Sequence, residues 1–205
     1  MRAVTDFDAI TGDIAIWHAY DPAVKGELYS TRLVIAGGAY LIDPIPLVKR
    51  ALDLLIGSFQ VAGIVVTNSN HHRAAGQLAQ QLSAPIFAHA HTFPSDQPSR
   101  LTTFVDGEQI CKRLRVIGVD GAASGEIVLH YAGNGGTLVV GDALINFEPY
   151  GFASLPAKYC LNQKQMRGSL RKLLDYDAER ILFAHGTPIL STASERLQAL
   201  LDSSS

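Results

Sequence analysis

The apolar run Ala62-Gly63-Ile64-Val65-Val66 ends at Thr67 in a dense polar stretch, Asn68-Ser69-Asn70-His71-His72-Arg73, and a segment of helical spacing runs from about His72 to Leu82. A short, continuous apolar run bounded in this way reads as a strand buried on both faces. Together with the elements that follow, such a strand suggests two sheets packed face to face with helices outside, and the pattern alone fits a three-layer α/β domain as well. A second short strand, Pro85 to Ala88, follows the helix and completes a strand-helix-strand crossover. Polar groups gathered at the C-terminal end of a buried strand stand where α/β folds build their sites.

The rest of the chain alternates in the same manner. Ile14 to Tyr20, Thr31 to Ala36 and Ala39 to Asp43 read as successive strands, with Gly37-Gly38 as the hairpin turn. Leu47, Val48, Ala51, Leu54 and Leu55 make one helical face that begins at Pro46 and closes at Gly57. Phe93 to Thr103 reads as a loop. Lys112 to Val119, Glu126 to Tyr131 and Thr137 to Gly141 then form an all-strand block. Helix, strand and helix are expected at Gln163 to Leu174, Arg180 to Ala184 and Thr192 to Leu201, with the tail Asp202 to Ser205 frayed. No linker, repeat or low-complexity segment divides the sequence, so residues 1–205 are expected to form a single domain.

Composition narrows the function. With 205 residues, 47% of them hydrophobic, the chain can bury a full core. A net charge of -2 with the signs interspersed gives no footprint for nucleic acid or an anionic membrane, so neither is expected as a partner. The apolar stretches are broken well short of the ~18 residues a membrane span needs. Asp6 and Asp8 stand where a signal peptide would be apolar, and the two cysteines, Cys111 and Cys160, suit reduced thiols. The expected protein is cytoplasmic, with a homo-oligomer left open.

The polar stretch resembles the metal-binding loop of metallo-β-lactamase-fold hydrolases, which that family writes THxHxDHxxG. Thr67 and Gly76 match; Asn68 and Asn70 stand where histidines should be, His72 stands for the aspartate and Arg73 for the last histidine. Further likenesses follow in the family's order: Leu41-Ile42-Asp43 after the first hairpin, and Pro85-Ile86-Phe87-Ala88-His89 after the loop helix. His130-Tyr131-Ala132-Gly133-Asn134 is similar to the segment HTPGH, with Asn134 in the place of a liganding histidine. Val139-Val140-Gly141-Asp142 resembles the strand that delivers a bridging aspartate, and Phe183-Ala184-His185-Gly186 the one that delivers the last histidine. The resemblance implies an α/β (α+β) fold, a four-layer αββα sandwich, with the segments around Asn68, Asn134, Asp142 and His185 meeting at one edge.

The substitutions change the implied chemistry. Zinc and iron sites are built from imidazoles and carboxylates, whereas Asn68, Asn70 and Asn134 offer only weak carbonyl oxygens. The Arg73 guanidinium cannot deprotonate and repels a cation beside it. The expectation is therefore no metal cofactor, a pseudoenzyme that has lost metal-dependent hydrolysis, and a pocket formed by Asn68, Asn70, His71, His72, Arg73, Asn134, Asp142 and His185. That pocket would bind a small anionic or polar ligand, with Arg73 reaching toward Asp142. The alternative is a divergent hydrolase of small esters or thioesters with a rebuilt site, either metal-free or holding one zinc or iron ion. Its catalytic or liganding candidates are His72, Asp142 and His185. Other histidines have plainer readings: His18 and His130 as structural, and His89 and His91, which alternate on a strand end, as surface groups. A serine or cysteine nucleophile has no support, because no GxSxG occurs.

Overall fold

The computed structural model describes residues 2–203. Two sheets pack face to face. The first has seven strands in sequence order: β1 (Asp8–Ala9), β2 (Ile14–Asp21), β3 (Gly26–Ile35), β4 (Gly38–Ile42), β5 (Gln60–Val66), β6 (Ile86–His89) and β7 (Leu101–Phe104). Its first four strands form an antiparallel meander, and β4 to β7 run parallel. The second sheet has β8 (Gln109–Cys111), β9 (Leu114–Gly118), β10 (Ile127–Tyr131), β11 (Thr137–Val140) and β14 (Arg180–Phe183). Their spatial order is β14-β11-β10-β9-β8, with β14 parallel to β11 and the others antiparallel. Between these strands in the sequence, β12 (Leu144–Phe147) and β13 (Gly151–Ser154) form a separate hairpin.

Strand periodicity sorts the side chains into layers. Ile16, Leu33, Ile42 and Val65 of the first sheet meet Val116, Leu129, Val139 and Leu182 of the second, making the central core. The alternate residues face outward. Leu41, Ile64 and Val66 pack under α1 (Lys49–Ile56) and α2 (Ala75–Leu82). Val128, Leu138 and Ile181 pack under α3 (Gln163–Leu170) and α4 (Ala193–Ser203). The result is the αββα sandwich that the resemblance implies.

Several local expectations differ from the structure. The β3–β4 turn is Ala36-Gly37, both at positive φ (50° and 83°), rather than Gly37-Gly38. Gly38 instead allows close strand packing, since a Cβ there would lie 2.8 Å from that of Ala62. Leu54 is 63% exposed and Leu52 takes its place on the buried face of α1. The loop helix begins at Ala75 rather than His72, and Gln163 to Leu170 passes into a 3-10 turn, Arg171–Asp175. The expected loop from Phe93 hides edge strand β7, and β1, β8, β12 and β13 carry no long apolar signature. Asp202 and Ser203 are helical, while Ser204 and Ser205 lie outside the described residues. Cys111 and Cys160 are free and half-buried. No described helix is long and apolar enough to cross a membrane.

Candidate functional site

Four strands deliver polar groups to one edge of the sandwich. Asp43 follows β4, Thr67 follows β5, Asp142 follows β11 after Gly141, and His185 follows β14 after Ala184. Because β4 and β5 are parallel, as are β11 and β14, these residues sit at corresponding ends. The loop after β5 supplies Asn68, Asn70, His71 and Arg73. Gly141 is required by this convergence: a Cβ there would lie 2.6 Å from Thr67 Oγ1 and 2.9 Å from Glu126 Oε1.

His71 is the centre of the group. It is buried, with Nδ1 2.9 Å from Asp43 Oδ2 and 2.9 Å from Thr67 Oγ1. Thr67 in turn donates its hydroxyl to Asp43 Oδ2 (2.5 Å) and its backbone N–H to Asp43 Oδ1 (2.8 Å). A carboxylate only accepts, so the imidazole Nδ1 carries a proton. On its other side, His71 Nε2 lies 3.1 Å from Asp142 Oδ1 and 3.2 Å from His185 Nε2, and His185 Nε2 lies 3.1 Å from the same Asp142 oxygen. Asn70 Nδ2 donates to Asp142 Oδ2 at 2.8 Å, which fixes the rotation of that carboxylate.

The charges follow from this packing. Burial pushes the His71 pKa down, but Asp43 and then Asp142 outweigh it and raise it to about 9. Burial pushes both aspartates up, yet His71 leads the opposing causes and holds each below its ordinary value. For His185, burial lowers the pKa, and nearby His71 and Arg73 add to that against the hydrogen bond it donates to Asp142. Glu126, just before β10, is buried and accepts from Asn68 Nδ2 (2.6 Å) and Ala143 N–H (3.0 Å). Burial, then repulsion from Asp142, pushes its pKa up to about 8.

Two residues expected here lie elsewhere. His72 is exposed, with Nε2 2.8 Å from Thr92 O and its ring stacked 4.2 Å from Phe93. Adjacent residues of an irregular loop point in different directions, and it is His71 that turns inward. Asn134 occupies the β10–β11 turn, at the far end of both strands from Asp142. It donates to Asp13 Oδ2 at 2.8 Å. Arg73 does not hydrogen-bond to Asp142. Its Nη1 donates to the backbone oxygens of Tyr29 (2.6 Å) and Asp43 (2.9 Å), so only its charge acts on the carboxylates. Sequence reasoning reaches Asp43 only as a motif residue and misses Glu126. A charged residue opening an apolar strand, opposite Asp142 in a tight hairpin, is the available signal.

A pair of ions on the loop positions does not fit. The amide of Asn68 is occupied on both sides, its Oδ1 accepting Asn70 N–H at 2.8 Å and its Nδ2 bound to Glu126. Arg73 is locked onto backbone carbonyls. A single ion does fit His71, Asp142 and His185, which together offer one ligand atom each in a compact group. Zinc bonds of about 2.0–2.1 Å place neighbouring donors of a tetrahedron about 3.3 Å apart. The triangle of 3.1, 3.1 and 3.2 Å is close to that. The Asp43 contact to Nδ1 is the carboxylate partner that orients a ligating imidazole.

The sequence pattern of the metallo-beta-lactamase superfamily matches residues 9–204. No curated protein matches the chain. Among solved structures it is similar to the DIM-1 metallo-beta-lactamase, at 15% identity over 98% of each chain with a TM-score of 0.76. It is also similar to a metallo-beta-lactamase family protein from Thermus thermophilus, at 22% identity over 96% of this chain and 80% of that one, TM-score 0.70. A metallo-beta-lactamase from Pontibacter korlensis gives 14% identity over 96% of this chain and 98% of that one, TM-score 0.74. At these identities the structural likeness speaks for the fold.

Proposed function

The chain belongs to the metallo-β-lactamase superfamily, and on that premise we propose that it is a one-ion hydrolase of small polar substrates, of the ester or thioester type. The observation that carries this reading is the near-equilateral triangle of His71 Nε2, Asp142 Oδ1 and His185 Nε2. Zinc or iron bound there would supply a water nucleophile at neutral pH.

The chain's own residues do the rest. Asp43 keeps the His71 proton on Nδ1, so that Nε2 offers its lone pair inward. Asn70 holds Asp142 so that Oδ1 faces both imidazoles. Glu126, through Asn68, fixes the loop that carries Asn70. The His185 side chain, 18% exposed, and the exposed Asn70 open the group to solvent on one side. Asn70 can there donate to a bound carbonyl.

A second reading is favoured by a different observation. Both ring nitrogens of His71 face carboxylate oxygens, so a doubly protonated ring satisfies them without an ion. With Arg73 it would balance Asp43 and Asp142, leaving a binding protein without hydrolysis, as the loop substitutions lead one to expect. A panel of esters, thioesters, β-lactams and phosphodiesters, assayed with and without added zinc, manganese and iron, separates the two. Turnover that requires metal and is lost in Asp142→Ala supports the one-ion hydrolase. A flat panel under every metal condition removes that reading and leaves the binding role.

A further inference from the structure

Arg73 sits where the two sheets meet. Its Nη1 donates to the backbone oxygens of Tyr29 on β3 (2.6 Å) and of Asp43 after β4 (2.9 Å), and its Nη2 lies 3.5 Å from Ala184 O after β14. Tyr29 N–H in turn donates to Ala184 O at 2.9 Å, and Leu28 bridges His185 beside it. We propose that Arg73 is a positioning residue, which through these carbonyls sets the separation of the His71 and His185 rings on Asp142 Oδ1. The consequence for zinc rests on the one-ion reading; the seating of the rings does not.

Each carbonyl leads to the site. Asp43, whose main chain the guanidinium fixes, holds His71 Nδ1 through its carboxylate. Ala184 precedes His185, and Arg73 reaches it chiefly through Tyr29, whose carbonyl takes the shorter bond while its N–H holds Ala184 O. The backbone is bent to deliver the group: Arg73 has a φ of 37°, a region that side chains other than glycine rarely adopt. Ala74 N–H donates to Pro44 O at 3.0 Å, which keeps the loop over the end of β4. A planar fork of donors suits several fixed carbonyls at once, whereas the compact ammonium of a lysine does not span them. A plain fastening role is visible at another arginine. Buried Arg32 donates to Leu55 O (2.9 Å) and Gly12 O (3.4 Å), which tie α1 and the bend before β2 to β3 and carry no site group.

The test uses chelator-stripped protein and compares Arg73→Lys, which keeps the charge, with Arg32→Lys. In Arg73→Lys the ring N–H proton signal of His71, shielded beside Asp43 in the native protein, should be lost to exchange with solvent, and zinc should bind about 10–100-fold more weakly. Arg32→Lys should lower the thermal midpoint and leave both readouts at their native values. Arg73→Gly, which suits the positive φ, should show the same two losses, reversed by millimolar guanidinium chloride and not by sodium chloride at equal ionic strength. Where Arg73→Lys does not fold, that guanidinium response decides. A native protein that binds no zinc removes the one-ion reading, and the ring signal then decides on Arg73 alone. A ring signal absent from the native protein or retained in the Arg73 variants, equal losses in Arg32→Lys, or losses that guanidinium does not reverse would overturn the proposal, as would unchanged zinc affinity where the native protein binds zinc.

Discussion

The two edges of the sandwich use the same residue types to different ends. At the far edge, Asn134 and Tyr131 donate to Asp13, and Arg180 donates to Asn134 O at 2.5 Å and pairs with Glu179. Asn134 there is exposed, as is much of Glu179, and water can replace most of these contacts. At the site edge, Asp43, Thr67, Asn68 and His71 are each 2% exposed or less. Their hydrogen bonds have no such substitute. The difference comes from strand direction: the far edge carries the tight β10–β11 turn, while the site edge collects the ends of parallel pairs, where side chains from separated segments must share one dry space.

The largest expected effect is at Asp43. Asp43→Ala leaves the His71 Nδ1–H and the Thr67 hydroxyl without their acceptor, and loss of one partner of a buried pair costs about 3–5 kcal/mol. Urea unfolding checks it. A loss under about 1 kcal/mol, the level of an exposed pair, would erase the contrast between the edges.

Glu126 gives a pH signature of intermediate size. Its pKa rises from 4.5 to about 8 on folding, so between those values the folded state holds the proton more tightly than the unfolded state. Its contribution is therefore complete below the lower value and declines as pH rises toward the upper one. Relative to Glu126→Gln, the native protein should lose stability as pH rises from about 5 to about 8, the window of that shift. Parallel curves for the two proteins would contradict it.

The smallest effect belongs to the far edge. Asn134→Gly removes a solvent-exposed hydrogen bond while tolerating the positive φ of 50° there, and should stay within about 0.5 kcal/mol in the same unfolding measurement. A cost comparable to that of Asp43→Ala would show that the far edge is as tightly built as the site.

Much of this is legible in the chain. Apolar runs with period two give the layers, and Thr67, Asp142 and His185 stand out as strand-end residues from the sequence alone. Nothing there separates His71 from His72, because an irregular loop has no periodicity to say which ring turns inward. The motif likeness brings Asn134 to the site, against the rule that a tight antiparallel turn lies at the opposite end of its strands from Asp142. The short strands β12 and β13 escape because their pairing with each other, rather than an apolar pattern, defines them. The loop substitutions argue against ligands at Asn68, Asn70 and Arg73, but nothing in them says that His71 comes to lie beside Asp142 and His185.

Zinc titration of chelator-stripped protein, counting bound ions per chain for the native sequence, His71→Ala and His72→Ala, tests that triad directly. The expected outcome is one ion per chain in the native protein and in His72→Ala, and no stoichiometric binding in His71→Ala. Two ions per chain, or one ion that survives His71→Ala, would contradict it.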